Sequence, residues 1–248
     1  MQAEYITWPE YQEAVNSRVI ILPTGSMEQH GYHLPLNVDV VIPTSLAKMV
    51  AEKVPSLILP TVNYGYKSHS TSGGGQLFPG TTSLDGETYI HLILDILRET
   101  YRHGGRRFLN LNGHYENIAF VNEAVELFIN ESPDAKLVTL SWWDQVSDEL
   151  VDEIFAGAGF PGWDTEHAAI TETALMMFFA PELVLEDKII DDQSERKPSY
   201  SIFPPPPDII PESGVLYKAT FATAEKGKKL AEHVVNEIVR IVQEELSS

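Results

Sequence analysis

Two short stretches pair a carboxylate with an imidazole two residues apart: Glu28 with His30 in GSMEQHG, and His114 with Glu116 in NGHYEN. On extended backbone, residues two apart point to the same side, so each stretch presents both donors together. Asp39 follows His30 in the same part of the chain. Imidazole nitrogen and carboxylate oxygen suit zinc, manganese or iron, and a shared carboxylate commonly bridges two ions about 3.5–4 Å apart. Taken singly, each residue admits a plainer role. A histidine after a strand is most often a hydrogen-bonded structural residue, and an acidic residue near a helix start is most often a cap. The repetition of the pair, with one further Asp, points to two divalent metals.

A third segment, GWDTEHAAITE, gathers Trp163, Asp164, Glu166 and His167 ahead of an apolar run. It reads either as a helix start capped by Asp164 or Thr165, or as a proton carrier, His167, oriented by a neighbouring carboxylate close to the metals. Trp142 and Trp143 read either as core or as a wall for a flat substrate. Other catalytic templates are missing: no G-x-S-x-G elbow, no phosphate-binding P-loop and no H-E-x-x-H. GAGFPG at 157–162 matches G-x-G-x-x-G in letters, but no strand precedes it and a proline interrupts the helix start that dinucleotide binding needs.

The elements that must position these residues follow from apolar periodicity. Arg18 to Pro23, Leu57 to Leu59, Arg107 to Leu111 and Lys136 to Ser141 read as strands. Helices are expected from about Pro43 through Val54, Glu87 to His103, Asn117 to about Asn130, His167 to Phe179 and Ala222 to Leu246. Such alternation predicts an α/β fold: one domain over residues 1–248, a three-layer α/β/α arrangement with a mostly parallel sheet. Ligands in such sheets bind beyond the carboxyl ends of the strands, and both imidazole–carboxylate pairs sit just there. Tyr64 to Gly86 is a long glycine-rich loop of the kind that is usually functional or disordered. Asp191 to Ser201 is polar and reads as loop, and Pro204 to Pro207 as a stiff extended segment at the surface or at a subunit contact.

With 36 acidic against 17 basic residues, the 248-residue chain carries a formal charge of -19. A field of that sign disfavours nucleic acid and anionic membrane surfaces as partners and tolerates neutral or cationic small molecules and metals. There is no cysteine, which removes disulfides, thiolate metal sites and cysteine nucleophiles. Neither a signal peptide nor an apolar run of roughly 18 residues is apparent, so a soluble cytoplasmic protein is expected.

GSMEQHG with the following NVDV, NGHYEN and GWDTEH, in that order, resemble the landmarks of the creatininase (creatinine amidohydrolase) family, and YGYKSHSTSGGGQLFPGTTSLDG resembles its long substrate loop. The likeness runs from about Val19 to Glu172 and more loosely to the C-terminus. It implies two metals per chain, zinc with manganese or a second zinc, iron being a further candidate. Glu28, Asp39 and His114 would hold one ion, and His30, Asp39 and Glu116 the other. Ser72, Gly73, Tyr115, Trp143, Trp163 and Asp164 match substrate-contacting positions. His167 would carry the proton, with Glu166 and Glu116 assisting catalysis. The implied reaction is reversible hydrolysis of creatinine to creatine by water activated between the metals, in a homohexamer. The alternative is another cyclic amide, ureide or formamide. The sequence departs from the family pattern at Ala168-Ala169, where a glycine is common, and at Tyr32 and Pro35.

Overall fold

Four short strands alternate with helices in the computed structural model, which describes residues 1–196 and 198–246. The strands are β1 (Val19–Thr24), β2 (Ser56–Ile58), β3 (Arg107–Asn112) and β4 (Lys136–Ser141). They form one sheet in the order β2-β1-β3-β4, and every pairing is parallel. The helices are α1 (Trp8–Ser17), α2 (Val38–Lys53), α3 (Gly86–Arg102), α4 (Asn117–Glu131), α5 (Asp148–Ile154), α6 (Ile170–Phe179) and α7 (Ala224–Leu246).

Strand alternation sorts the core into two layers. Val19, Ile21, Leu109 and Leu111 face α2, α6 and α7, whereas Ile20, Leu22 and Phe108 face α1, α3 and α4. A strand buried on both faces is apolar along most of its length, and all six residues of β1 are buried, Thr24 at its end being the one polar side chain among them. The expected α/β/α layering and parallel sheet are therefore present. The connection from β1 runs to β2 on one side, while β3 lies on the other. The crevice between the C-terminal ends of β1 and β3 is thus a topological switch point, where open sheets bind ligands.

Several boundaries differ from the sequence reading for physical reasons. Helix α2 begins at Val38, not Pro43, and carries Pro43 inside it. A proline there withholds an N–H only from the carbonyl four residues back, that of Asp39. Asp39 therefore lies in the first helical turn. Helix α6 begins at Ile170, three residues later than expected, because Ala168 takes a left-handed conformation, φ 53°. Helices α1 and α5 are additional to the helices expected from apolar periodicity. Within the loop Tyr64 to Gly86 only a 3-10 turn, Gly75–Leu77, is regular. Pro204 to Pro207 lie exposed or half-buried without regular structure. In the polar segment predicted as loop between Asp191 and Ser201, Lys197 lies outside the described residues, and the rest is irregular.

Candidate metal centre

The chain leaves β1 at Thr24 and crosses the switch point, carrying Glu28 and His30 inward; both are buried, with His30 fully so. The His30 ring is oriented by its own segment, Nδ1 lying 3.1 Å from the Glu28 carbonyl oxygen, to which it donates. Its Nε2 then points at Asp39 Oδ1, 3.1 Å away, and at Glu172 Oε1, 3.6 Å away. From β3, His114 is fixed in the opposite sense. Its Nε2 donates to the Tyr66 carbonyl at 3.0 Å, and its Nδ1 faces Asp39 Oδ2 at 3.0 Å and Glu28 Oε2 at 3.1 Å. Each imidazole thus spends one nitrogen on a backbone carbonyl and turns the other toward carboxylates, the usual support of a metal-ligating histidine.

Neutral rings in this arrangement aim lone pairs at lone pairs, which is repulsive unless a cation lies between. Glu28 Oε1, His30 Nε2 and Asp39 Oδ2 are all buried without a hydrogen-bond partner. Unsatisfied buried polar atoms are costly, and a pair of divalent ions would offset that cost. Without metal, protons take that place. Burial opposes charge on His30, but the carboxylates of Asp39 and Glu172 outweigh it and raise its pKa well above the ordinary value. For His114, burial is outweighed by Glu28 and Glu116 with the same result. Burial works against the Asp39 carboxylate too, yet His30 and His114 hold its pKa below the usual range.

The donor atoms gather into two groups, Glu28–Asp39–His114 and His30–His167–Glu172, each with its ligand atoms within 4.8 Å of one another. Asp39 touches both through its two oxygens. Glu116 stands on the other face of His114, 3.4 Å from Nε2. Its Oε1 accepts from the Ser72 hydroxyl and from the His69 backbone N–H at 2.8 Å, which ties it to the long loop. Glu172, absent from the sequence-predicted ligands, is the residue that sequence reasoning missed. The signal available was its place one helical turn after His167 in HAAITE.

Both carboxylates of this segment also start helix α6. Glu172 Oε2 accepts the Ala168 N–H at 2.6 Å, and Glu166 Oε1 accepts the Thr171 N–H at 2.9 Å. Neither Asp164 nor Thr165 caps the helix; the residue before it is Ala169, which offers no side chain for the purpose. Burial, aided by the Glu172 carboxylate, pushes the Glu166 pKa up to about 8.

The pocket above the donors is lined by Ser72, Tyr115, Trp142, Trp143, Trp163 and His167, among others. Trp142 and Trp143 serve as core and wall at once, since both are buried and both line the pocket. Tyr115 stacks on Trp143 with ring centroids 6.0 Å apart, and Trp142 meets Trp163 edge-on at 6.1 Å. Gly73 packs against Glu28. Asp164 is exposed and lines an adjoining open cleft of about 570 Å³, which shares Ser72, Tyr115 and Glu116 with the pocket.

A family model described as "Creatininase: Creatinine amidohydrolase" matches residues 4–242. The chain belongs to the creatininase family. It is 44% identical to the creatinine amidohydrolase of Pseudomonas putida over 247 residues, covering 97% of this chain and 95% of that protein. A solved mutant creatininase complexed with creatine superposes with a TM-score of 0.96 at 42% identity, over 100% of this chain and 99% of the other. A manganese form of creatininase does so at 0.95 and 42% identity, with the same coverage. The creatininase fold thus extends over the whole chain, and the metal-capable donor groups of this member lie at the crevice between β1 and β3.

Proposed function

We propose that this protein is a metal-dependent amidohydrolase that opens the ring of creatinine, reversibly, to give creatine. The observation that carries the reading is the shared Asp39 between two buried donor groups, in a chain 44% identical to a creatinine amidohydrolase. Glu28, Asp39 and His114 would hold one divalent ion. His30 and Asp39 would hold the second, with a carboxylate completing the set. The resemblance assigned that place to Glu116, whereas the short approach of Glu172 to His30 favours Glu172. The donor chemistry suits manganese or zinc. When bound, such a pair supplies a water that loses its proton near neutral pH and a Lewis acid for the amide carbonyl.

This chain's own residues do the rest. Trp143, Trp163 and Tyr115 would sandwich a flat five-membered ring and keep bulk water out. Ser72 and the Gly73 backbone would border it on the loop side, and Asp164 at the rim would attract its amidine-like nitrogens. In the net reaction the ring C–N bond breaks, the carbonyl carbon gains a water oxygen, and the leaving nitrogen takes a proton. His167 would carry that proton, and Glu116, tied to Ser72, would assist on the opposite side of the pocket. Glu166 would stay behind His167, holding the start of α6. The same reading makes the protein a cytoplasmic homohexamer. The absence of cysteine fits a reducing compartment, and light scattering of the purified protein tests the assembly.

The decisive experiment is creatine formation from creatinine by purified protein, stripped with EDTA and reloaded with zinc or manganese. Turnover that vanishes and returns supports the proposal. Inactivity in protein carrying two metals per chain overturns the substrate assignment, and a panel of lactams, cyclic ureides and formamides then identifies the substrate class.

A further inference from the structure

We infer that Gln29 is a positioning residue that clamps the substrate loop to His167 and leaves Nδ1 of His167 as the nitrogen available to the pocket. Gln29 sits between the two ligands Glu28 and His30, and its buried side chain reaches His167. Its carboxamide is fully used. Nε2 donates to the Gly73 carbonyl at 3.2 Å and to the Gly214 carbonyl at 3.0 Å, and Oε1 accepts the Gly31 N–H at 2.9 Å.

Nε2 of His167 lies 2.9 Å from this amide nitrogen and 2.9 Å from the Gln29 backbone carbonyl oxygen. An amide nitrogen is a donor only, and both its protons are already committed to the two glycine carbonyls. The only bond left for His167 Nε2 is donation to the Gln29 carbonyl. A neutral ring therefore carries its proton on Nε2 and presents a lone pair at Nδ1. A proton-carrying histidine needs this definition, because the wrong tautomer has no lone pair where the proton must go.

The clamp joins three distant segments. Gly73 belongs to the long loop that borders the pocket, and Gly214 to the segment whose Leu216 N–H donates to the His167 carbonyl at 3.2 Å. At Gly214, φ is 76° and a Cβ would fall 1.9 Å from Gln29 Oε1, so only glycine lets the backbone come this close. Loop position is thereby set by the Gln29 side chain and imidazole orientation by its backbone carbonyl. The shuttle role of His167 rests on the function proposed above; the tautomer and the clamp do not.

The test uses full-length, zinc-loaded protein labelled with nitrogen-15 at histidine, at alkaline pH, with His167→Ala assigning the signal. The expected spectrum shows a neutral His167 protonated on Nε2 alone. In Gln29→Met, which keeps length but not hydrogen bonds, metal content should stay at the wild-type level. The backbone carbonyl of residue 29 remains, so His167 should stay protonated on Nε2, while backbone amides of the Gly73 loop should exchange hydrogen faster and kcat should fall by about 10-fold or more with KM rising as that loop loosens. Protonation on Nδ1 in the wild type overturns the inference, and needs no variant to fold. So does a Gln29→Met protein whose Gly73 loop exchanges hydrogen at the wild-type rate. If the wild type never hydrolyses creatinine but its tautomer is fixed on Nε2 and the Gly73 loop exchanges hydrogen faster in Gln29→Met, the clamp stands and only the substrate reading falls.

Discussion

His30 Nε2 faces Asp39 Oδ1 across 3.1 Å in a buried site, at ion-pair distance, yet Nε2 has no hydrogen bond of acceptable geometry. The pair is arranged for something between or beside its atoms rather than for each other. In metal-free protein the attraction of Asp39 and Glu172 keeps His30 protonated, and Glu28 and Glu116 do the same for His114. Ligation needs both imidazoles neutral on the facing nitrogen, so metal uptake near neutral pH should release about two protons per chain. Calorimetric titration in buffers of different ionisation enthalpy measures this. A heat independent of the buffer would contradict the site.

The carboxylate that completes the second ion's shell can be decided by metal counting. Glu172→Gln should lower the metal content from two ions to one, whereas Glu116→Gln should retain more of the second ion while turnover falls by about 10²-fold or more. Elemental analysis after dialysis reads the first quantity and creatine formation the second. One ion lost in Glu116→Gln and none in Glu172→Gln would return the ligand role to Glu116.

Gly75 packs so closely on Glu28 that a Cβ would lie 2.6 Å from Oε1 and 2.7 Å from Cγ. Gly75→Ala must therefore push the Glu28 carboxylate off Asp39 and His114. The expected result is a loss of metal affinity of about 10-fold or more, with the circular dichroism spectrum unchanged. Wild-type affinity in this variant would show that the loop yields instead of Glu28.

Glu166 is raised from 4.5 to about 8 by burial and by Glu172. Between those two values the folded protein holds a proton that the unfolded chain has released, so stability falls as pH rises through that window. In metal-free protein, Glu166→Gln removes this dependence. It should raise stability near pH 8 by on the order of 2 kcal/mol and leave it little changed near pH 4, where both states are protonated. Urea melts across the range test the sign; parallel pH profiles for the two proteins would refute it.

The left-handed Ala168 offers an independent check on the His167 turn. An L-residue at φ 53° costs about 1–2 kcal/mol, and glycine removes that cost at the expense of about 0.5–1 kcal/mol of unfolded-chain entropy. Ala168→Gly should be neutral to slightly stabilising, while Ala168→Val should destabilise by 2 kcal/mol or more, roughly. Thermal melts of the two variants check the order.

The residue types in Glu28-x-His30, Asp39 and His114-x-Glu116 were enough to suggest a pair of metals, because the pair is repeated at equivalent places, although each residue taken singly has plainer uses. Strand periodicity was enough to put both pairs beyond strand ends in a parallel sheet. Helix starts were less legible. Pro43 looked like a first-turn residue because sequence alone does not reveal that the helix starts at Val38 and carries Pro43 inside it. His167 looked helical because nothing local announces the left-handed Ala168, which is held by a bond from its N–H to Glu172.

Which carboxylate meets which imidazole was decided by tertiary structure. Glu116 and Glu172 have the same chemistry, and both lie within a few residues of a site histidine. Only the packing of α6 against α2, and the capture of Glu116 by Ser72, bring Glu172 to His30 and hold Glu116 on the far face of His114. The tautomer of each imidazole was likewise beyond the sequence. It depends on backbone carbonyls of Glu28, Tyr66 and Gln29, and every residue carries such a carbonyl whatever its name. Sequence determines which groups can do chemistry; the fold determines which lone pairs are left over to do it.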